Sequence, residues 1–201
     1  MKYQHRNSEF HLTPGEIAQF LRGISDPRNR LMATLFVYTA IRRVELQLLT
    51  WRDIEPARRR LIVRHGKGGK QRIVFLPDLV VNELQEFYDD QPPEAFLFPG
   101  RSGRQMSLRN INYILGKSGE EAGIKTPNPR YKNIGPHLLR HSFARNWKNS
   151  GGSLESLQKI LGHSSLRTTL DVYGTESQAD VEANYHQVSP RLALSSDISH
   201  F

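Results

Sequence analysis

The sequence of 201 residues contains no cysteine and no long apolar run. Without cysteine the chain can form no disulfide, no thiolate zinc site and no cysteine nucleophile. No stretch approaches the roughly 18 consecutive apolar residues that a membrane span needs. Residues 1–6 lead into no apolar signal core, so we expect neither membrane insertion nor secretion. The expected location is the cytoplasm.

Acidic residues are also scarce relative to basic ones, and the net charge is +8. Residues 175–201 contain four acidic side chains and only Arg191 as a base, a net of −3, which leaves +11 for residues 1–174. A basic body attracts polyanions by releasing their counterions. Such a surface is typical of nucleic-acid binding, although it also serves ordinary solubility.

The apolar pattern and its breakers predict one mainly helical domain with a small sheet. Three runs of alternating or β-branched residues, Trp51–Ile54, Arg60–Arg64 and Arg72–Leu76, predict an antiparallel sheet, the last two joined as a hairpin by a loop of glycine and lysine. Capping residues and apolar periodicity predict helices over residues 13–23, 28–40, 45–49, 78–89, 107–122, 137–149, 153–161, 165–173 and 178–187.

Six residues are of the chemical types that attack on a phosphodiester needs. Fixed cations stabilise the negative charge that gathers on the non-bridging oxygens, and arginine suits this task because its fork donates two hydrogen bonds and stays charged. A tyrosine hydroxyl, with a reference pKa of about 10, becomes a nucleophile once a base or nearby cations favour its ionised form. The six residues are Arg42, Lys67, His137, Arg140, His163 and Tyr173.

The histidines have another reading. His137 and Arg140 are three positions apart and share one helix face. His137, His141 and His163 could instead ligate zinc. That reading is weaker, because no glutamate follows His137 as in the His-Glu-x-x-His pattern and Arg140 on the same face would repel a cation.

The tyrosine and the lysine also have competitors. By helical spacing alone Tyr173 could be a core residue, and Tyr131 and Tyr185 are other tyrosines nearby. Lys67 stands between glycines in the hairpin loop, where a lysine is usually solvated, and Lys70 competes with it for any chemical role. The same loop could enter a DNA groove and bring a lysine to the leaving oxygen as a general acid.

Taken together, the motifs resemble the catalytic domain of the tyrosine recombinases, the phage-integrase family. The resemblance runs from about Thr13 to Tyr173, in the family's order and rough spacing. It rests on Arg42 within Ala40–Leu46, Lys67 within His65–Lys70, His137-Leu-Leu-Arg140, Leu161-Gly162-His163, and Tyr173 ten positions after that histidine.

The resemblance implies an α+β fold, mainly helical with a small three-stranded antiparallel sheet. It implies that Tyr173 attacks DNA and forms a 3′-phosphotyrosyl link, and that Lys67 protonates the leaving 5′-oxygen. The remaining four catalytic residues would bind the phosphate, and His163 would also handle protons. It further implies double-stranded DNA as partner, a homotetramer on DNA, a possible monomer when free, a nucleoid-associated location, and no metal or cofactor.

Further residues are expected to support this chemistry. Glu45, three positions after Arg42, is close enough on a helix to brace its guanidinium. Contacts to DNA, chiefly to the phosphate backbone, are expected from Arg43, Arg58, Arg59, Arg60, Lys70 and Arg72.

The resemblance divides the chain into a flexible segment over residues 1–12, a catalytic domain over 13–175, and a tail over 176–201 that packs on a neighbouring protomer. Most family members carry an N-terminal helical domain that clamps DNA. Only about a dozen residues precede the first helix here. The chain is therefore either a catalytic fragment or akin to short recombinases such as the fimbrial-switch invertases. Two alternatives stay open, a catalytically silent DNA-binding relic and a type IB topoisomerase-like relaxing activity.

Overall fold

The computed structural model describes residues 10–64, 71–127, 132–173 and 182. Within them the chain is α+β, mainly helical with a three-stranded antiparallel sheet, as predicted. None of the described helices is long and apolar enough to cross a membrane. The helices are α1 (Pro14–Arg22), α2 (Pro27–Thr39), α3 (Arg43–Leu48), α4 (Asp78–Phe87), α5 (Leu108–Glu121), α6 (Pro136–Asn149), α7 (Leu154–Leu161) and α8 (Leu166–Tyr173), and the strands are β1 (Ile54–Glu55), β2 (Arg60–Val63) and β3 (Arg72–Phe75).

Local capping sets where the helices begin. Thr13 and Glu16 form the predicted capping box of α1: the Thr13 hydroxyl accepts from the Glu16 amide at 3.3 Å, and the Thr13 amide donates to the Glu16 carboxylate at 2.7 Å. These bonds satisfy N–H groups that have no partner inside the helix. The side chains of Asp26, Ser107 and Ser153 each accept from one amide in the first turn of α2, α5 and α7 respectively.

The sheet contains the predicted hairpin, with Leu61 opposite Val74 across β2 and β3. The strand predicted over Trp51–Ile54 is wrong in its placement, because Trp51–Asp53 form a 3-10 turn and β1 is Ile54–Glu55. The Asp53 carboxylate accepts from the Thr50 amide at 2.9 Å and the Thr50 hydroxyl at 2.8 Å, which closes the turn. A side-chain cap therefore outweighs the alternating pattern there.

Helix α2 forms the centre of the main core, where Leu31, Met32, Leu35 and Phe36 are almost completely buried. It packs against α1, α4, α5 and α6. A smaller apolar cluster of Ala40, Ala144, Leu157 and Leu161 joins the end of α2 to α6 and α7. This second cluster matters for function because it fixes the end of α7 beside the end of α2.

Leu12 corrects the predicted boundary of the flexible segment. Its side chain lies in the core with no exposed surface. Its amide donates to Ser142 Oγ at 2.8 Å, and its carbonyl accepts from Asn146 Nδ2 at 3.0 Å. Two α6 side chains thus satisfy the Leu12 backbone, so Leu12 belongs to the folded domain. Of the other residues predicted to be flexible, 1–9 lie outside the described residues. The helix predicted over 178–187 also lies outside them, except for Glu182.

Candidate active site

Arg42 is held at the junction between α2 and α3. The chain leaves α2 through Ala40 in the left-handed region, at φ 50°, and Arg42 is the residue that precedes α3. Its amide donates to Glu45 Oε2 at 2.7 Å, and its Nη1 donates to Glu45 Oε1 at 2.9 Å. The predicted contact between Glu45 and Arg42 is therefore present, and it fixes both the backbone and the guanidinium of the arginine.

Arg140 reaches the same junction from α6. Although only 7% of its surface is exposed, its guanidinium donates to backbone carbonyls, from Nη1 to Ala40 O and from Nη2 to Leu161 O at 2.8 Å. Buried charge of this kind needs hydrogen bonds to be tolerated. These carbonyls orient Arg140 so that it lines the cleft described below.

His163 stands where α7 gives way to α8. Its Nε2 lies 3.2 Å from Arg140 Nη2, and its Nδ1 lies 3.0 Å from Thr169 Oγ1. A guanidinium can only donate. The neutral ring therefore accepts at Nε2 and donates from Nδ1 to the Thr169 hydroxyl, a tautomer assigned from its partners. This leaves Nε2 as the basic nitrogen beside Arg140.

The C-terminus of α7 gathers three arginines that are far apart in the sequence. Arg72 Nε donates to Ile160 O at 3.0 Å, Arg140 Nη2 to Leu161 O at 2.8 Å, and Arg42 Nη2 to Gly162 O at 3.2 Å. Carbonyls at a helix C-terminus lack partners within the helix and form the negative end of its dipole. They are therefore suited to accept from cations.

Gly162 is required at this point for two reasons. Its φ of 63° is the left-handed conformation that ends α7. A Cβ at this position would lie 2.9 Å from Arg72 Cδ. The group that approaches Gly162 closely is therefore the Arg72 side chain.

Arg72 is turned inward, unlike the predicted DNA contact. Its Nη1 donates to Glu45 Oε1 at 2.6 Å and its Nη2 donates to Glu45 Oε2 at 2.7 Å. Its side chain is only 10% exposed and that of Glu45 only 2%. Because Arg72 begins β3 while Glu45 lies on α3, this contact arises only from the tertiary fold. Arg72 is therefore better explained as a residue that holds Glu45 in place than as a contact to DNA phosphate.

Glu45 is ionised between these arginines. Burial raises the pKa of its carboxyl, but hydrogen bonds and charge from Arg72, together with hydrogen bonds from Arg42, outweigh burial and bring the pKa below its usual range. A carboxylate at this position stays charged at neutral pH. It can therefore hold Arg42 as an anion.

His137 completes the group at the first turn of α6, directly after Pro136, and it is exposed. Arg42, His137, Arg140 and His163 all line one cleft of about 960 Å³. Four of the six predicted catalytic residues are thus brought together, although they are up to 121 positions apart in the sequence. Helix N-termini such as that of α6 also favour anions.

The other two predicted catalytic residues are described less fully. Lys67 lies outside the described residues, and so does its competitor Lys70. Tyr173 is the last residue of α8, which packs against α7, and only its backbone is described. The competing tyrosines, Tyr131 and Tyr185, also lie outside the described residues.

Sequence reasoning missed the polar wall that α5 and the segment before α6 give to the cleft. Arg109, Asn112 and Tyr113 lie at positions i, i+3 and i+4 of α5, are all exposed, and line the cleft with Lys132 and Asn133. The signal was the polar face of α5, but a polar helix face usually means only solvent. Arg43, predicted to contact DNA, is exposed and lines the same cleft.

The basic run Arg58–Arg60 lies elsewhere. Arg58 and Arg60 pair with Glu55, and Arg59 pairs with Asp78. Arg60 begins β2, whereas Val63 at the other end of the strand pairs with Arg72. At about 3.3 Å per residue, Arg60 lies about 10 Å along the sheet from the end of β2 that pairs with Arg72. These arginines are therefore not part of the cleft.

No metal site is apparent in the described part of the chain. Among residues 10–64, 71–127, 132–173 and 182, no group of three His, Asp or Glu side chains is placed to hold a metal ion. The zinc reading of His137, His141 and His163 therefore gains no support.

The fold and the cationic cleft define a class, the tyrosine recombinase catalytic fold, and solved structures agree. The crystal structure of the XerA recombinase has a TM-score of 0.72 and 27% identity, covering 95% of this chain and 68% of that one. The XerH site-specific recombinase bound to difH substrate, a pre-cleavage complex, has a TM-score of 0.71 and 25% identity, covering 91% and 55%. The Tn1549 transposon integrase in complex with a circular intermediate DNA shares the fold, with a TM-score of 0.73, 22% identity, and coverage of 90% and 66%.

The phage integrase family model matches residues 11–179, and the chain belongs to this family. It is 33% identical over 164 residues to the tyrosine recombinase XerA of Thermococcus kodakarensis, covering 79% of this chain and 55% of the relative. It is 32% identical over 189 residues to the tyrosine recombinase XerC of Lactobacillus leichmannii, covering 88% and 61%. The chain thus spans little more than half the length of these curated relatives.

Proposed function

We propose that this chain catalyses tyrosine site-specific recombination, in which double-stranded DNA is cleaved and rejoined. The observation that carries the proposal is the meeting of Arg42, His137, Arg140 and His163 in one cleft. Tyr173 ends the helix that follows His163. A cluster of fixed cations suits a reaction whose transition state gathers negative charge on phosphate oxygens, and we propose that Tyr173 supplies its nucleophile.

In the proposed reaction, Tyr173 Oη attacks the phosphorus, and the bond to the 5′-oxygen breaks. The tyrosine loses its proton to a base, for which we propose His163 Nε2 once it releases its hydrogen bond from Arg140 Nη2, and Lys67 gives a proton to the leaving 5′-oxygen. Arg42 and Arg140 stabilise the non-bridging oxygens. The products are a 3′-phosphotyrosyl link and a free 5′-hydroxyl. Attack by a 5′-hydroxyl from another strand reverses the step, so the phosphodiester energy is conserved.

Two structural neighbours that were solved with DNA support DNA as the partner. XerH is described as bound to difH substrate and the Tn1549 integrase as bound to a circular intermediate DNA. This chain adds a net charge of +8 and a cleft lined by Arg43, Arg109 and Lys132 beyond the catalytic residues. We propose that these side chains contact phosphates beside the cleavage point, and that Lys70 and Arg58–Arg60 contact DNA further away.

The proposed assembly is a homotetramer on two DNA sites that is monomeric when free, with residues 176–201 packing on a neighbour. Its proposed location is the nucleoid. The described residues give no support to the silent relic, since four of the six predicted catalytic residues line one cleft. Nothing favours a topoisomerase-like relaxing activity over recombination.

Covalent trapping tests the proposal. Wild type and Tyr173→Phe would be incubated without metal with nicked duplexes from the flanks of the chain's own gene, and denaturant-resistant adducts would be mapped by mass spectrometry. We expect an adduct on Tyr173 that the variant lacks. Tyr88→Phe, an exposed tyrosine outside the cleft, should behave as wild type. An adduct that persists in Tyr173→Phe, or wild-type binding with no adduct, would contradict the proposal.

A further inference from the structure

Glu45 is shared between two arginines, and this sharing has an electrostatic consequence. Its Oε1 accepts from Arg42 Nη1 at 2.9 Å and from Arg72 Nη1 at 2.6 Å. Its Oε2 accepts from the Arg42 amide at 2.7 Å and from Arg72 Nη2 at 2.7 Å. Arg72 thus engages both oxygens with its side chain, in the bidentate geometry that makes arginine–carboxylate pairs strong.

Exposure separates the two arginines. The Arg42 side chain is 27% exposed, whereas Arg72 is 10% exposed. Arg42 lines the cleft and Arg72 does not. Arg72 is therefore placed to neutralise Glu45 from behind, while Arg42 faces the substrate side.

The charges of the three side chains sum to one net positive charge. If Glu45 had only Arg42 as its partner, the pair would be neutral and would attract a phosphate weakly. With Arg72 present, the carboxylate is balanced and the charge of Arg42 remains for an anion. This difference would grow where bound DNA excludes water from the cleft, because charge interactions strengthen as the effective dielectric constant falls.

Arg72 also ties this unit to the other half of the cleft. Its Nε donates to Ile160 O, while the next two carbonyls of α7 accept from Arg140 and Arg42. The Arg72 fork therefore spans Glu45 on α3 and the end of α7. It therefore links α3 to the helix that precedes His163.

We propose that Arg72 is a positioning residue for the cleavage reaction: it neutralises Glu45 so that Arg42 keeps a positive charge for the phosphate, and it fixes α7 against α3. Arg72 touches neither the cleft nor the reacting atoms, and it acts through Glu45 and Arg42. The role rests on the proposed recombinase function for its effect on rate, but its effect on anion binding does not depend on that function.

The charge argument predicts rescue by a second substitution. Arg72→Gln removes the balancing charge and leaves Glu45 to neutralise Arg42, so the rate of adduct formation at saturating DNA should fall at least tenfold. In Arg72→Gln/Glu45→Gln the carboxylate is gone, so the positive charge of Arg42 is no longer offset. The glutamine oxygen at position 45 can still accept one hydrogen bond from Arg42. The double variant should recover a large part of the lost rate.

Single-turnover adduct formation would be measured for wild type, both variants, and Arg30→Gln. Arg30 pairs with Glu83 between α2 and α4, away from the cleft, so its variant should keep the wild-type rate. Thermal melts would show that each variant is folded. A double variant no faster than folded Arg72→Gln would overturn the proposal, because the charge argument requires the rate to recover once the carboxylate is removed.

A second measurement separates this proposal from the recombinase function. The dissociation constant for inorganic phosphate would be followed by NMR on the free protein. Arg72→Gln should weaken phosphate binding severalfold, and the double variant should restore it. If wild type forms no adduct but the phosphate series follows this order, the recombinase function is wrong and the charge role stands. If adducts form but neither series shows rescue, the charge role is wrong.

Discussion

At the scale of single residues, Glu45 is the buried carboxylate on which the arrangement of Arg42 and Arg72 depends. It is a carboxylate only 3% exposed, and it satisfies two arginines at once. Removing one partner from a buried ion pair leaves an uncompensated charge, which typically costs about 3–5 kcal/mol. Glu45 therefore contributes to the stability of the fold and also holds Arg42 in the cleft.

Glu45→Ala should lower the free energy of unfolding by about 3 kcal/mol at pH 7, because Arg72 then lies buried without an anionic partner. Since the folded pKa of Glu45 is lowered, its contribution is present above the unfolded value of about 4.3 and is lost as pH falls through the lower folded value. Urea unfolding at pH 7 and at successively lower pH would check both effects.

Glu155→Ala is the matched control for that series. Glu155 also has a lowered pKa, caused by the hydrogen bond and charge of Lys159, but the pair is fully exposed. Solvent screens such pairs, so the variant should unfold as wild type does. A Glu45→Ala variant that behaves like Glu155→Ala would show that the buried triad contributes little to stability.

Gly162→Ala should be more harmful than Gly123→Ala. Both glycines have nearly the same positive φ, 63° and 67°, but a Cβ at Gly162 meets Arg72 Cδ at 2.9 Å and one at Gly123 meets nothing within 4 Å. Gly123→Ala should cost about 1 kcal/mol from backbone strain alone. Gly162→Ala should cost more and should slow adduct formation at least tenfold, because Arg72 must move.

Thermal melts and adduct rates of the two glycine variants would be compared side by side. The difference between them isolates the close approach of Arg72 from the backbone conformation. Equal losses in both variants would mean that the left-handed conformation alone explains why glycine stands before His163.

At the scale of elements, α7 organises the site although it carries none of the six predicted catalytic residues. Its last carbonyls, with that of Gly162, accept from three arginines, and its apolar face holds α6 and the end of α2 through Leu157 and Leu161. Because both functions belong to one eight-residue helix, packing of α7 and assembly of the cleft cannot be separated.

Helix α5 offers the element-scale prediction. Its exposed residues Arg109, Asn112 and Tyr113 line the cleft. Arg109→Gln should weaken DNA binding across sequences and reduce by about one the slope of log affinity against log salt, as expected for the loss of one phosphate contact. Fluorescence anisotropy over a salt series would measure the slope.

Arg22→Gln is the control for the salt series, since Arg22 is exposed in the last turn of α1 and does not line the cleft. Its slope should equal that of wild type. If both variants reduce the slope equally, DNA binding depends on the overall basic charge of the surface rather than on a contact to Arg109 on α5.

At the scale of the whole molecule, charge is divided between a basic body and a tail that is acidic on balance. An acidic segment is repelled by DNA, so residues 176–201 are suited to contact protein rather than phosphate. The body carries the cleft and the family match extends to residue 179. Assembly and chemistry would then belong to different parts of the chain.

Deleting residues 178–201 should leave Tyr173 adduct formation on a nicked duplex largely intact but weaken the pairing of two DNA sites at least tenfold. Mass photometry of the protein with one and with two sites would count protomers, and the adduct assay on the same samples would report the chemistry. Unchanged pairing by the truncated protein would rule out a role of the tail in assembly.

The sequence by itself determined the family and the mainly helical fold, and it predicted six site residues, of which four line one cleft. A cap such as Thr13 with Glu16 depends on side chains three positions apart, and the hairpin depends on two neighbouring β-branched runs. Both features can therefore be predicted from short stretches of sequence. The strand placed at Trp51 failed because the cap from Asp53 to Thr50 competes with alternation. The order of the site motifs is likewise a property of the chain alone.

Only the tertiary structure decided how the site is built. Arg72 contacts Glu45 across 27 positions and Ile160 across 88, distances over which no local pattern carries information. The same packing turned Arg72 inward, drew Leu12 into the core and set Arg109 on the cleft wall. A charged side chain reads the same in sequence whether it faces solvent, DNA or a buried carboxylate, because the choice depends on which elements pack against it.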